Sequence, residues 1–73
     1  MNREFQYKML DHMRSDCEYY LGFGNRSTKY LCGKSVEKHI EAMRRIWNEL
    51  EEKPVWLSME QINEYERKMK EEI

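Results

Sequence analysis

The stretch Ser15–Arg26, SDCEYYLGFGNR, constrains this chain more than any other, because an amphipathic repeat stops inside it. Upstream, Phe5, Met9, Leu10, Met13, Cys17, Tyr20 and Leu21 recur at three- and four-residue spacing. A helix turning about 100° per residue gathers them on one side. Gly22 and Gly24 flank Phe23, and Asn25-Arg26-Ser27 then supplies residue types that start helices. Gly22, just past Leu21, is expected to take a left-handed C-cap. A chain that ends one helix this explicitly and opens another a few residues later folds as packed helices.

The rest of the chain agrees. Residues 28–32 read as a single short turn of helix, capped by Asn25 or Ser27, packed inward through Tyr30 and Leu31, and closed by Gly33. After Ser35, the residues Val36, Ile40, Met43, Trp47 and Leu50, widened by Ile46, mark a helix over about 36–52 that Pro54 stops. Ser58-Met59-Glu60-Gln61 is a capping box, with Leu57 and Ile62 in the staple positions around it. A helix over about 59–72 follows, with Met59, Ile62, Tyr65, Met69 and Ile73 on its apolar face. Val55 and Trp56 are expected to fill the gap between the second and third helices. No segment alternates with a period of two, so the expected fold is all-α: one small three-helix domain over residues 1–73, with an additional short helical turn after the Gly22–Ser27 loop.

Two residues break the apolar stripes. Asp16 falls between Phe5 and Met9, and a buried carboxylate there needs donors. The backbone N–H groups of Gly22–Arg26, or the Arg26 guanidinium, are the nearest, so Asp16 is expected to anchor the turn together with Gly22, Gly24 and Asn25. His39 falls between Ile46 and Leu50 and is expected to be a neutral core residue with one satisfied nitrogen.

Size and charge narrow the function. A chain of 73 residues has a core worth only about 3–5 kcal/mol of net stability. A formal net charge of −1 provides no overall field for nucleic acid or anionic lipid. The charge is nevertheless uneven. Within residues 24–45, Arg26, Lys29, Lys34, Lys38, Arg44 and Arg45 oppose Glu37 and Glu41, a net +4; residues 46–73 carry four bases against eight acids, a net −4. Such a division makes either a bipolar binding surface or ordinary solvated helix faces. Arg3, Glu4 and Lys8 interrupt any apolar leader, and no run reaches the ~20 apolar residues of a membrane span, so a cytoplasmic setting is expected. Cys17 and Cys32 fit free thiols in that setting, a Cys17–Cys32 disulfide being the alternative.

Catalytic machinery is absent from the pattern. His12, Cys17, Cys32 and His39 lack the short knuckle spacing of a zinc site, so no metal and no cofactor is expected. Cys17 or Cys32 with His39 and Asp16 could be written as a triad, but three short helices leave little room for an enclosed pocket of the usual ~300 Å³. Gly22-Phe23-Gly24 has neither the spacing nor the preceding strand of a phosphate loop. Binding chemistry is better represented. Tyr19, Phe23, Arg26, Lys29 and Tyr30 sit on or beside the turn and combine aromatic rings with positive charge, the residue types that anchor protein interfaces. Arg26, Lys29, Lys34, Arg44 and Arg45 would serve a nucleic-acid surface instead. Self-association is the third reading, since a small domain gains stability by burying Trp47 or Trp56 against a second copy.

SDCEYYLGFGNR, KYL, EAMRRIWNEL and EKPVWLSMEQINEYERKM together resemble the large polyvalent protein-associated domains of bacterial mobile elements, over about residues 8–69. The Ser15–Arg26 block and the Lys53-Pro54-Val55-Trp56-Leu57 linker are the two most specific markers. The chain departs from the family pattern at Cys32, where a tryptophan is expected, and at Val55, where an acid is common. The resemblance implies a protein of phage or conjugative elements with no enzymatic activity. It also implies action by binding a host protein, with inhibition of a defence system such as a CRISPR effector among the roles of such proteins.

Overall fold

A computed structural model describes residues 3–71. Helix α1 spans Arg3–Leu21, α2 spans Val36–Glu49 and α3 spans Met59–Lys70. Two short 3-10 turns, Thr28–Tyr30 and Cys32–Lys34, lie between α1 and α2, and residues 27–35 form a hook over one flank of the bundle. There is no strand among the described residues, and the fold is a small all-α domain. None of its helices is long and apolar enough to cross a membrane.

The core draws on every element. Leu10, Cys17, Ile40, Met43, Leu57 and Ile62 are almost wholly buried, and Leu31 of the hook joins them. Burying an aliphatic side chain of this size contributes about 1.5–3 kcal/mol relative to leaving it in water. The helix starts follow the sequence closely. The Ser35 hydroxyl accepts from the Lys38 N–H at 3.4 Å. Ser58 and Gln61 form the reciprocal capping box, at 3.1 and 2.8 Å.

The helix ends differ from expectation. Helix α2 stops at Glu49, short of residue 52, because the Lys53 ammonium folds back onto its last carbonyls. It donates to Trp47, Asn48 and Leu50 oxygens at 2.7, 3.0 and 2.6 Å, and it lies 4.7 Å from the Trp47 ring centroid. A cation at a helix C-terminus satisfies orphan carbonyls and opposes the negative end of the dipole. Helix α3 gives way at Glu71, in extended conformation; residue 72 and the expected apolar Ile73 lie outside the described residues. The gap between α2 and α3 is filled by Leu57, whereas Val55 and Trp56 are exposed. The Leu57 carbonyl takes the Trp47 indole N–H at 3.0 Å, which turns Leu57 inward and its two predecessors outward.

The turn after α1 is built differently from the sequence reading. Its own backbone closes it: Gly22 N–H donates to Glu18 and Tyr19 oxygens, Gly24 N–H to Tyr19 oxygen at 2.7 Å, and Arg26 N–H to Tyr20 oxygen at 3.0 Å. The left-handed positions are Asn25 (φ 50°) and Arg26 (φ 60°), and Gly22 is not among them. Gly24 is required for space, since a Cβ there would sit 2.8 Å from the Tyr19 carbonyl oxygen. Asp16 takes no part in the turn, because the carbonyls of residues 18–20 already receive its N–H groups. Its carboxylate faces His12 at 3.5 Å instead. The Arg26 guanidinium, the other expected donor to Asp16, crosses to the end of α3. There it donates to Lys68, Met69 and Glu71 oxygens at 3.2, 3.3 and 3.0 Å, and the Tyr20 hydroxyl donates to Met69 oxygen at 3.3 Å.

Two charged pairs link α2 to α3, Lys70 with Glu37 at 3.6 Å and, closer, Arg44 with Glu66. Arg44 donates to both Glu66 carboxylate oxygens, at 3.3 and 2.7 Å, and to the Asn63 amide oxygen at 2.6 Å. These bonds to Arg44 hold the Glu66 carboxyl below its ordinary value of 4.5. A depressed folded-state pKa gives stability that is complete above the unfolded value and is lost as pH falls through the folded one. Glu66→Gln should therefore cost about 1 kcal/mol near pH 7, and the difference from the parent should shrink in acid, as pH falls below 4.5 and through the lowered folded value. Urea unfolding at the two pH values measures it; a gap that persists unchanged into acid would show that the pair carries no linkage.

Candidate functional site

Helix α1 carries two parallel stripes. Gln6, Leu10, Met13, Cys17 and Tyr20 are buried. Phe5, Met9, His12, Asp16 and Tyr19 each precede one of them by one residue, and so form a second row about 100° around the helix. Phe5 and Met9, expected in the core, lie on this second row and are exposed, while Gln6 is buried in their place. The buried row joins the core shared with α2 and α3, and the second row borders the hook at Tyr30.

His39 fixes where the hook sits. It is 1% exposed, with Nδ1 2.9 Å from the Cys32 backbone nitrogen and Nε2 2.9 Å from the Met13 carbonyl oxygen. A backbone N–H only donates and a carbonyl only accepts, so Nδ1 accepts, Nε2 carries the proton and the ring is neutral. The expected core histidine thus satisfies both nitrogens, and one ring on α2 holds the hook to α1. The hook itself is two turns rather than the single turn expected, because Leu31 between them is extended (φ −83°, ψ 149°). Leu31 points into the core, and Tyr30, expected to pack inward with it, points out.

The hook and the second row of α1 enclose a surface cleft of about 390 Å³ lined by His12, Ser15, Asp16, Tyr19 and Tyr30. A smaller hollow of about 250 Å³ adjoins it through His12, Asp16 and Tyr30, and extends past Met9 to Cys32. The Tyr19 and Tyr30 rings meet edge to face, with centroids 5.6 Å apart and planes at 81°. The Lys29 ammonium lies 5.6 Å from the Tyr30 ring. Of the expected contact residues, the fold therefore brings Tyr19, Lys29 and Tyr30 together. Phe23 stands apart at the tip of the turn, 92% exposed, and Arg26 is occupied by the end of α3. Met9, His12 and Ser15 were not legible as part of this surface. For Met9 and His12 the one-residue offset from the buried row was the available signal, and Ser15, two residues from both Met13 and Cys17, gave none.

The basic residues of the alternative nucleic-acid surface are dispersed. Arg26 and Arg44 are engaged in the contacts described above, while Lys29, Lys34 and Arg45 remain exposed on the hook and α2. The four residues weighed as metal ligands do not gather either. Both nitrogens of His39 are taken by backbone groups, and the Cys17 thiol is packed against the Met43 sulfur at 3.6 Å. No cluster of three His, Cys, Asp or Glu side chains suited to a metal occurs among the described residues. His39 likewise has no lone pair left for either thiol.

Cys17 and Cys32 are both free. Burial, reinforced by the charges of Asp16 and Glu18, pushes the Cys17 thiol up to about 12, whereas Cys32 is exposed at the rim of the smaller hollow. A thiolate-selective reagent such as Ellman's reagent should thus titrate one thiol per folded chain, and a second only after denaturant is added. Rapid reaction of both thiols in the folded protein would contradict this placement.

No curated protein and no solved structure matches the chain significantly. A family model does, over residues 3–69, which include α1, α2, the turn, the hook and all of α3 but its last residue; the chain belongs to the family described as large polyvalent protein-associated domain 11.

Proposed function

We propose that this domain is a non-enzymatic protein-binding module of a mobile genetic element, and that it docks on a host protein through the cleft between α1 and the hook. The observation that carries this reading is the contrast among its tyrosines. The Tyr7 and Tyr20 hydroxyls are spent on internal carbonyls, those of Glu52 at 2.6 Å and Met69 at 3.3 Å. Tyr19 and Tyr30 are exposed, meet edge to face, and have no hydrogen bond to either hydroxyl among the described residues. Rigid aromatic side chains with an open polar tip supply contact area at a low entropic cost, which suits them to interfaces. Lys29 beside the Tyr30 ring extends the cleft as a further contact, and the exposed turn-tip Phe23 stands apart from it. Family membership supports the mobile-element origin, and inhibition of a host defence system is the role in keeping with it.

The rival reading, nucleic-acid binding, loses support because Arg26 and Arg44 are engaged inside the fold. Phosphate contacts would also impose a salt dependence of about 0.9 log units per log salt for each duplex phosphate neutralised. Self-association loses Trp47, which is covered within one chain by Lys53 and Leu57, and keeps only the exposed Trp56 of its two tryptophans.

Affinity purification from the host, with nuclease treatment, separates these readings. One protein partner should be recovered in stoichiometric amount, and it should be lost with Tyr19→Ala combined with Tyr30→Ala. Lys34→Ala combined with Arg45→Ala should leave it bound. Recovery of nucleic acid alone, released by moderate salt and insensitive to the tyrosine substitutions, would overturn the proposal.

A further inference from the structure

The cleft contains a charge that the fold does not use. The Asp16 side chain is 18% exposed, and its partner among the described residues is the His12 imidazole at 3.5 Å, itself 78% exposed. An ionised carboxylate offers about four acceptor sites. This one is partly removed from water, yet it has a single long contact to a side chain that solvent can displace. It sits where the two hollows join, beside the perpendicular rings of Tyr19 and Tyr30.

A half-desolvated carboxylate next to aromatic rings is complementary to a cation carrying some apolar surface. The carboxylate supplies charge-assisted hydrogen bonds, and the rings supply cation–π and stacking contacts. Guanidinium fits better than ammonium, because it is planar, weakly hydrated and able to bond a carboxylate through two N–H groups while lying against a ring. The Tyr30 ring already has a cation near it in Lys29.

We infer that the cleft takes an arginine side chain of the partner protein, with its guanidinium paired to Asp16 in place of His12 and its stem against Tyr19 and Tyr30. This inference rests on the protein-binding reading above and specifies what the partner presents. Among the described residues Lys29 is a like charge beside the cleft, and it opposes the incoming guanidinium at a distance that salt partly screens.

A small probe tests the pocket without the partner. N-acetyl-arginine amide is titrated into the full chain and followed by amide chemical shifts, with N-acetyl-citrulline amide as the neutral isostere. Saturable changes should centre on His12, Asp16, Tyr19 and Tyr30, and citrulline should produce none. Asp16→Asn, nearly isosteric, should weaken binding at least about fivefold. Tyr30→Ala, at an exposed position, should weaken it as well, and Lys29→Ala should strengthen it about twofold. Changes centred on the acidic residues of α3, equal binding by Asp16→Asn, or no saturable binding would overturn the inference. A null result with the probe removes the arginine site alone, because the purification experiment judges protein binding independently.

Discussion

One buried imidazole, His39, sets the position of everything that could act as a site. It lies on α2, yet its two hydrogen bonds join a hook N–H to an α1 carbonyl. Each bond has a role that only one tautomer satisfies, so the ring acts as a spacer of fixed polarity between two backbone groups. An aliphatic residue would fill the same volume and leave both backbone groups unpaired in the interior, at about 1–3 kcal/mol each. With the hook held this way, Leu31 enters the core, Tyr30 stands opposite Tyr19, and the cleft over Asp16 follows.

The two segments on which the resemblance in the sequence rests secure helix ends. Arg26, from the Ser15–Arg26 block, caps the last carbonyls of α3. Lys53, from the linker, caps those of α2. Tyr20 and Leu57 belong to the same segments and bond the same neighbourhoods, through Met69 and Trp47. In a domain with so small a core, a cation placed on a helix C-terminus contributes a sizeable fraction of the net stability. The marker residues therefore identify the architecture, and the candidate contact surface is made from residues beside them: Tyr19 next to Tyr20, and Lys29 and Tyr30 after Arg26.

Helices and their starts were legible because they depend on local chemistry. Ser35 and the Ser58–Gln61 box act within one turn, and the four-three spacing of Val36, Ile40 and Met43 survives any arrangement of neighbours. Properties decided by distant partners were not legible. Periodicity places Phe5 and Met9 within reach of the core, but neighbouring α2 and α3 cover the row that starts at Gln6, one residue further round. Asp16 was assigned to the turn because nothing local reveals that the turn's own N–H groups already satisfy the α1 carbonyls. The early end of α2 depends on Lys53 reaching back across a loop, and the inward swing of Leu57 depends on an indole N–H ten residues earlier. The cleft inherits both kinds of information: its α1 wall is written in the sequence, whereas its hook wall depends on His39.

The measurement closest to this account is a long-range ¹H–¹⁵N correlation spectrum of the histidine rings in the folded protein near neutral pH. His39 should show a single neutral pattern with the proton on Nε2 and a hydrogen-bonded, unprotonated Nδ1. A cationic ring, or one with its proton on Nδ1, would mean that the Cys32 N–H has lost its acceptor and that the hook is not held to α1 as described.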